Sequence, residues 1–292
     1  MKAMIFAAGL GTRLRPLTDN LPKALAPVAG KTLLYWVMTR LRDAGIREFV
    51  INVHHFPDKI IDYVRTEPEL SALSVSFSDE RELLRDTGGG IRFAEPLLED
   101  SSGLAVRTAA SVGSVPCTGN AGLSGSGHFL VHNVDIISDL DIRSFCSGIR
   151  PDAISTLLVS DRKTQRYLLF SNEMRLVGWT NVATGEIRTP FRGLDADKCI
   201  MRAFAGIHLL SGRIFGIFGE IDSSPEKFPL YNAAGNIIGS SLKPLGQCFP
   251  VMDYYLRAAA EFPIYGKEPA HLTLIDAGKP DTLLQAEKFL TL

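Results

Sequence analysis

Arg13 and Lys23 are the first residues whose type and placement suggest chemistry. Both lie just beyond a glycine turn, Gly9-Leu10-Gly11, that ends an apolar run. A strand that stops in glycines lets backbone N–H groups approach a phosphate without Cβ obstruction. Ala8, Gly9, Gly11 and Thr12 are the candidates for that contact, and Arg13 and Lys23 add the fixed charge a triphosphate requires. The combination points to a nucleotide. Two aspartates stand where apolar runs end: Asp135 after Phe129-Leu130-Val131-His132-Asn133-Val134, and Asp276 after Leu274-Ile275.

The turn fits neither common phosphate fingerprint. A dinucleotide turn needs a third glycine where Leu14 stands, and the GxxxxGK[ST] loop is absent. The whole string Ala7-Ala8-Gly9-Leu10-Gly11-Thr12-Arg13-Leu14-Arg15-Pro16-Leu17-Thr18, with Pro22-Lys23 downstream, instead resembles the signature of the sugar-1-phosphate nucleotidyltransferases. That resemblance implies a glycosyltransferase-A-like fold and attack of a sugar 1-phosphate on the α-phosphorus of a nucleoside triphosphate, with Mg²⁺ assisting and pyrophosphate leaving. It assigns Arg13 to the β- and γ-phosphates and Lys23 to the α-phosphate and the attacking phosphate. Asp135 corresponds to the family's metal aspartate in an Asn-Gly-Asp segment, with Asn133 beside the nucleotide and Val134 in the glycine's place. Asp276 corresponds to the second metal aspartate of a Trp-x-Asp-x-Gly segment, with Leu274 replacing the tryptophan.

Three further segments carry the comparison. Asp86-Thr87-Gly88-Gly89-Gly90-Ile91 resembles the family's glycine segment, where a base lies flat on exposed backbone; Thr87, Gly88 and Gly89 are the implied contacts. The Thr-Gly-Gly-Gly-Ile form is similar to that of the N-acetylmuramate-1-phosphate uridylyltransferases of cell-wall recycling, which implies UTP and N-acetylmuramate 1-phosphate as substrates. Phe204-Ala205-Gly206-Ile207-His208 resembles a strand whose glycine, here Gly206, lies near the sugar. The family's Glu-Lys-Pro segment is missing, and Leu176-Val177-Gly178-Trp179-Thr180-Asn181 occupies its place. Rival readings are a mannose-1-phosphate guanylyltransferase, a glucose-1-phosphate thymidylyl- or uridylyltransferase, and an inactive relative that binds nucleotide sugars and regulates a partner.

Composition narrows the class further. With 292 residues, 46% hydrophobic and 22% charged, the chain is expected to be one soluble globular domain spanning residues 1–292. A formal net charge of −1 argues against nucleic acid as a partner. Four scattered cysteines form no CxxC pair, which suits reduced thiols and a cytoplasmic protein. No apolar stretch reaches membrane-spanning length, and the expected assembly is a monomer or small homo-oligomer.

The elements that must position these residues read as a doubly wound α/β domain with a mainly parallel, Rossmann-like sheet. Strands are expected near residues 2–7, 49–53, 74–78 (an edge), 128–132, 153–160, 203–210 and 272–275, with a hairpin over 167–179. Helices are expected near 32–44, 58–64, 92–98, 251–262 and 280–290. The glycines at 88–90 read as a loop before a helix, Asp139 and Asp141 as caps for a helix near 142–146, and 101–127, rich in Ser and Gly, as a surface insertion.

Overall fold

Strand β1 (Lys2–Phe6) sends Ala3 and Ile5 to one face of a sheet and Met4 to the other, and all three are fully buried. A strand buried on both faces requires helices on both sides of its sheet. The computed structural model, which describes residues 1–99 and 127–291, supplies them. The expected insertion at 101–127 lies, Gly127 apart, outside the described residues.

After the site loops, a short ribbon of β2 (Pro27–Val28) and β3 (Lys31–Thr32) leads into α1 (Leu33–Asp43). Thr32 Oγ1 caps this helix by accepting from Tyr35 N–H at 3.1 Å. Leu34, Val37, Met38 and Leu41 recur at helical spacing and are buried. β4 (Glu48–Val53) then pairs parallel with β1, and α2 (Pro57–Thr66) and α3 (Pro68–Ser71) cross to β5 (Ser74–Asp79), the edge strand beside β4. Two helices follow, α4 (Asp86–Phe93) and α5 (Glu95–Leu98). β6 (His128–Asn133) joins the other side of β1, again parallel.

The second half of the chain extends the sheet with antiparallel strands. β7 (Ile136–Ser138) leaves the sheet and leads to α6 (Ile142–Ser147), which Asp141 caps by accepting from Ser144 N–H at 3.0 Å. Asp139 accepts instead from Thr273 N–H at 2.8 Å. Then come β8 (Ser155–Ser160), β9 (Arg166–Phe170), β10 (Leu176–Asn181), β11 (Glu186–Arg188) and the long β12 (Ile200–Ser211). The order across the sheet is β11-β10-β9-β12-β6-β1-β4-β5, with β8 also paired to β12. α7 (Ile214–Ser223) and α8 (Val251–Ala258) cover one face, β13 (Ile264–Lys267) lies parallel to β8, and β14 (Leu274–Asp276) with α9 (Pro280–Leu290) completes the other side. The doubly wound α/β architecture expected from the sequence is present, with its parallel strands around β1.

Two expectations change. The glycines at 88–90 lie inside α4 rather than in a loop, and helix α7 has no counterpart in the sequence reading. Gly216 and Gly219 lower the helical signal of α7, but burial of Phe215, Phe218 and Ile221 holds it to the sheet. Among the described residues no helix is long and apolar enough to cross a membrane.

Two histidines on neighbouring strands of this core are almost wholly buried: His132 on β6 and His208 on β12. Burial lowers the His132 pKa to about 4, against the opposing effect of its hydrogen bond to the Asn133 carbonyl at 2.7 Å. Burial, with His132 nearby, lowers that of His208 to about 3. Both rings are therefore neutral in the folded protein at pH 5, whereas unfolded histidine takes up its proton near pH 6.5. Stability is then full above about pH 6.5 and falls as the pH drops toward 4, His132 alone accounting for about 3 kcal/mol at pH 4. Denaturant titrations between pH 7 and pH 4 check this, and a folded His132→Gln variant should show a shallower decline. An equal decline in that variant would count against the assignment.

Candidate active site

A cavity of about 540 Å³ opens at the C-terminal ends of β1, β4 and β6. Ligands of open α/β sheets bind at such strand ends. Ala8, Gly9, Lys23, Thr87, Asn133 and Asp135 all line it, although they come from four separate stretches of sequence. The residues that follow β1 are held in place by Asn52, whose Oδ1 accepts from Ala7 N–H at 2.7 Å and Ala8 N–H at 3.3 Å. Asn52 Nδ2 in turn donates to Glu80 Oε1 at 2.9 Å, and Glu80 Oε2 accepts from Arg85 N–H at 3.0 Å. Asn52 and Glu80 are nearly inaccessible to solvent yet border the cavity. The sequence reading missed both. Asn52 carried a signal, being the one polar residue in the apolar run Phe49-Val50-Ile51-Asn52-Val53, since a polar group buried there needs partners.

Charge gathers at one end of the cavity. Lys23 begins a 3-10 turn (Lys23–Leu25), and its ammonium forms an ion pair with Asp135. β14 runs antiparallel to β7 with Asp276 opposite Ile136, and Ala277 N–H donates to the Asp135 carbonyl at 2.8 Å. This ribbon carries Asp276 beside Asp135 from far along the chain. Arg13 Nη2 lies 3.9 Å from Asp276 Oδ1. A methyl group built on Gly278 would stand 2.7 Å from both Arg13 Nη2 and Asp276 Oδ1 and 3.0 Å from Lys23 Nζ. The Gly278 backbone is thus where the ends of two cationic side chains and a carboxylate come together.

Among the described residues no three His, Cys, Asp or Glu side chains converge as a metal cage. Asp135 and Asp276 offer hard oxygen donors only, the set suited to Mg²⁺, which completes its shell with water and substrate phosphates. Each carboxylate here faces a cationic side chain, and the pair would be released to a divalent ion when those cations turn to phosphate oxygens.

The remaining expected contacts are placed as follows. Gly11 adopts a left-handed conformation (φ +65°), its carbonyl accepts from Thr18 Oγ1 at 2.8 Å, and a Cβ there would meet Lys23 Cβ at 3.1 Å. It shapes the turn over Lys23 rather than lining the cavity, and Thr12 opens the 3-10 turn (Thr12–Leu14) that carries Arg13. Gly206, at φ +76° in an irregular stretch of β12, abuts Asn133: a Cβ would come within 2.8 Å of Asn133 Nδ2.

Gly88 and Gly89 require a correction. Their N–H groups donate to the Phe249 carbonyl at 2.9 and 3.1 Å, and a Cβ on either would overlap the Phe249 ring or the Gln247 carbonyl. These glycines pack α4 against the segment before α8 and do not present backbone to the cavity. Thr87 does border it, while its Oγ1 accepts from Val251 N–H at 2.9 Å.

Residues 2–112 match the family model described as Nucleotidyl transferase. The chain is 47% identical over 97 residues to an N-acetylmuramate alpha-1-phosphate uridylyltransferase of Caulobacter vibrioides, covering 33% of this chain and 40% of that protein. It is 37% identical over 141 residues to a protein of the same name from Neisseria meningitidis serogroup B, covering 48% of this chain and 49% of that one. The matched stretch thus spans less than half the length of either relative. In three dimensions the chain superposes on an apo UDP-glucose pyrophosphorylase with a TM-score of 0.66 and 15% identity, over 100% of this chain and 98% of the other, a likeness of fold. Residues 2–112 are thus similar in sequence to nucleotidyl transferases, and the whole chain shares the fold of the solved pyrophosphorylase.

Proposed function

We propose that this protein transfers a uridylyl group from UTP to a sugar 1-phosphate, with N-acetylmuramate 1-phosphate as acceptor, releasing pyrophosphate. The observation that carries the reading is the meeting of Arg13, Lys23 and Asp276 around Gly278, with Lys23 paired to Asp135 on the wall of a cavity also lined by Ala8 and Gly9. A regulator without catalytic activity would have no need of both cations and both carboxylates. The acceptor phosphate, with a second pKa of about 6, is largely ionised at neutral pH. It therefore needs no general base. One of its oxygens attacks the α-phosphorus in line, and the bond to the pyrophosphate oxygen breaks.

Catalysis is then placement and neutralisation of charge. Lys23 exchanges its partner Asp135 for phosphate oxygens and brings acceptor and α-phosphate together despite their repulsion. Arg13 holds the β- and γ-phosphates as negative charge builds on the leaving group. The turn at Gly9 offers backbone N–H donors, and the Asn52–Glu80 pair keeps Ala7 and Ala8 from shifting beneath it. Asp135 and Asp276 would hold Mg²⁺, which when bound supplies further charge stabilisation at the phosphates. Nucleoside triphosphates are abundant in the cytoplasm, where we place the reaction.

Two relatives bearing the uridylyltransferase name support UTP as donor. Assayed with the four ribonucleoside triphosphates, UTP is expected to exceed GTP and ATP in kcat/KM by about a hundredfold or more, as a shaped site discriminates between bases. Comparable use of GTP would overturn the choice of UTP while leaving nucleotidyl transfer standing. Pyrophosphate release from no pairing of triphosphate and sugar 1-phosphate would overturn both.

A further inference from the structure

A second cavity, of about 490 Å³, lies where β9, β10, β12 and the start of α8 meet. Arg162, Arg166 and Arg188 line it together with Trp179 and Tyr167. The three guanidiniums differ in their partners. Arg188 is 2.7 Å from Glu186 and 3.7 Å from Asp253, both also on the cavity wall, and it lies over the Trp179 ring at 5.2 Å. Its charge is answered. Arg162 donates only to a backbone carbonyl, that of Phe204, at 3.0 Å. Neither Arg162 nor Arg166 has a carboxylate within ion-pair distance among the described residues. Both arginines are exposed at the rim of this cavity, where their guanidiniums can turn toward an anion.

Segments close together in the chain border the two cavities. Phe204, which holds Arg162 and itself lines the second cavity, stands two residues before Gly206, and Gly206 abuts Asn133 on the wall of the first. Cys248 lines the first cavity and Pro250 the second. We propose that the second cavity receives a carboxylate-bearing substituent of the acceptor sugar, with Arg162 and Arg166 as its counter-charges. The inference rests on the nucleotidyl-transfer reading. In that reading the acceptor's phosphate is engaged by Lys23, so the two arginines suit a second, different anion on the same molecule. Planar guanidiniums match a carboxylate through paired hydrogen bonds. Trp179 and Tyr167 supply the apolar surface on which the C–H face of a sugar ring can rest.

The test compares N-acetylmuramate 1-phosphate with N-acetylglucosamine 1-phosphate, which lacks the lactyl carboxylate. The native protein is expected to favour the carboxylated acceptor in kcat/KM by about a hundredfold, the scale of charge-assisted hydrogen bonds from two guanidiniums. In the double variant Arg162→Gln, Arg166→Gln that ratio should fall toward unity through a rise in KM, and Arg166→Lys with native Arg162 should retain part of it. Calorimetric titration of the folded proteins with N-acetylmuramate 1-phosphate alone should show binding about 10- to 100-fold weaker in the double variant. An unchanged ratio, or equal use of both acceptors by the native protein, would overturn the proposal. If no nucleotide sugar forms with either acceptor, the transfer reading fails, and the calorimetry still decides whether the arginines bind the carboxylate.

Discussion

Lys23→Met is expected to lower kcat by about two to four orders of magnitude while leaving a folded protein, the usual scale for removing a charge aimed at a phosphoryl transition state. The methionine retains much of the apolar stem that packs against the glycine turn. What is lost is the ammonium between Asp135 and the incoming phosphates. Asp135→Asn and Asp276→Asn should depress turnover on the same scale, for a different reason. Each removes a negative oxygen donor from the proposed Mg²⁺ site, so their deficit should shrink as Mg²⁺ is raised, whereas that of Lys23→Met should not. Arg13→Ala should follow Lys23→Met, since its half-exposed side chain contributes charge rather than core packing. Pyrophosphate release measured across a Mg²⁺ series, beside thermal melts of each variant, separates these outcomes. Turnover within tenfold of native in a folded Lys23→Met protein would remove the lysine from the mechanism.

Gly89→Ala is expected to be among the most damaging single changes for stability, at least about 3 kcal/mol, because it overfills a site bounded by backbone. Its new methyl would overlap the Gln247 carbonyl, which belongs to the segment leading into α8 and cannot rotate aside as a side chain end can. Gly88→Ala should be nearly as severe, since its Cβ would enter the Phe249 ring, itself packed edge-on against Phe218. Gly216→Ala in α7 is the control. No atom lies within 4 Å of a Cβ there, and alanine should be neutral or stabilise by up to about 1 kcal/mol. Urea titrations of the three variants test the contrast, and a Gly89→Ala protein as stable as native would refute the packing role. Any loss of base selectivity in such variants should accompany loss of stability, because α4 carries Thr87 to the cavity.

The contrast between these two predictions shows which information was local. Arg13 and Lys23 were legible because a strand, a glycine turn and two cations follow one another within a short string, and short strings preserve their chemistry. Asp135 and Asp276 were legible as strand-end carboxylates, but their adjacency depends on the pairing of β14 with β7, which no local pattern encodes. Gly88 and Gly89 had the composition of an exposed loop. Their function depends on residues 247–249, remote in sequence, and a helix made of glycines is stable only because that segment lies against it. Asn52 and Glu80 were missed for a related reason: each is ordinary alone, and the pair exists only once β4 and β5 lie side by side. The parallel centre of the sheet was readable from buried apolar runs, whereas β12 pairs antiparallel with β6, β8 and β9, segments well removed from it in sequence.

The ribbon of β14 on β7 has a consequence for how the protein comes into being. During synthesis Arg13 and Lys23 leave the ribosome long before Asp276, and for that interval their charges lack one of the two carboxylates they will face. The site becomes neutral only when the late ribbon docks, closing a loop that spans nearly half of the chain. Loops of that span close late, since the contacts that reward them form after local ones. The same docking can reverse by local opening in the finished protein. Peeling β14 away would draw Asp276 from Arg13 and deprive Asp135 of its backbone tie to Ala277. A protomer that has not finished folding, or has begun to come apart at that ribbon, thereby lacks the assembled charge cluster on which the proposed reaction depends.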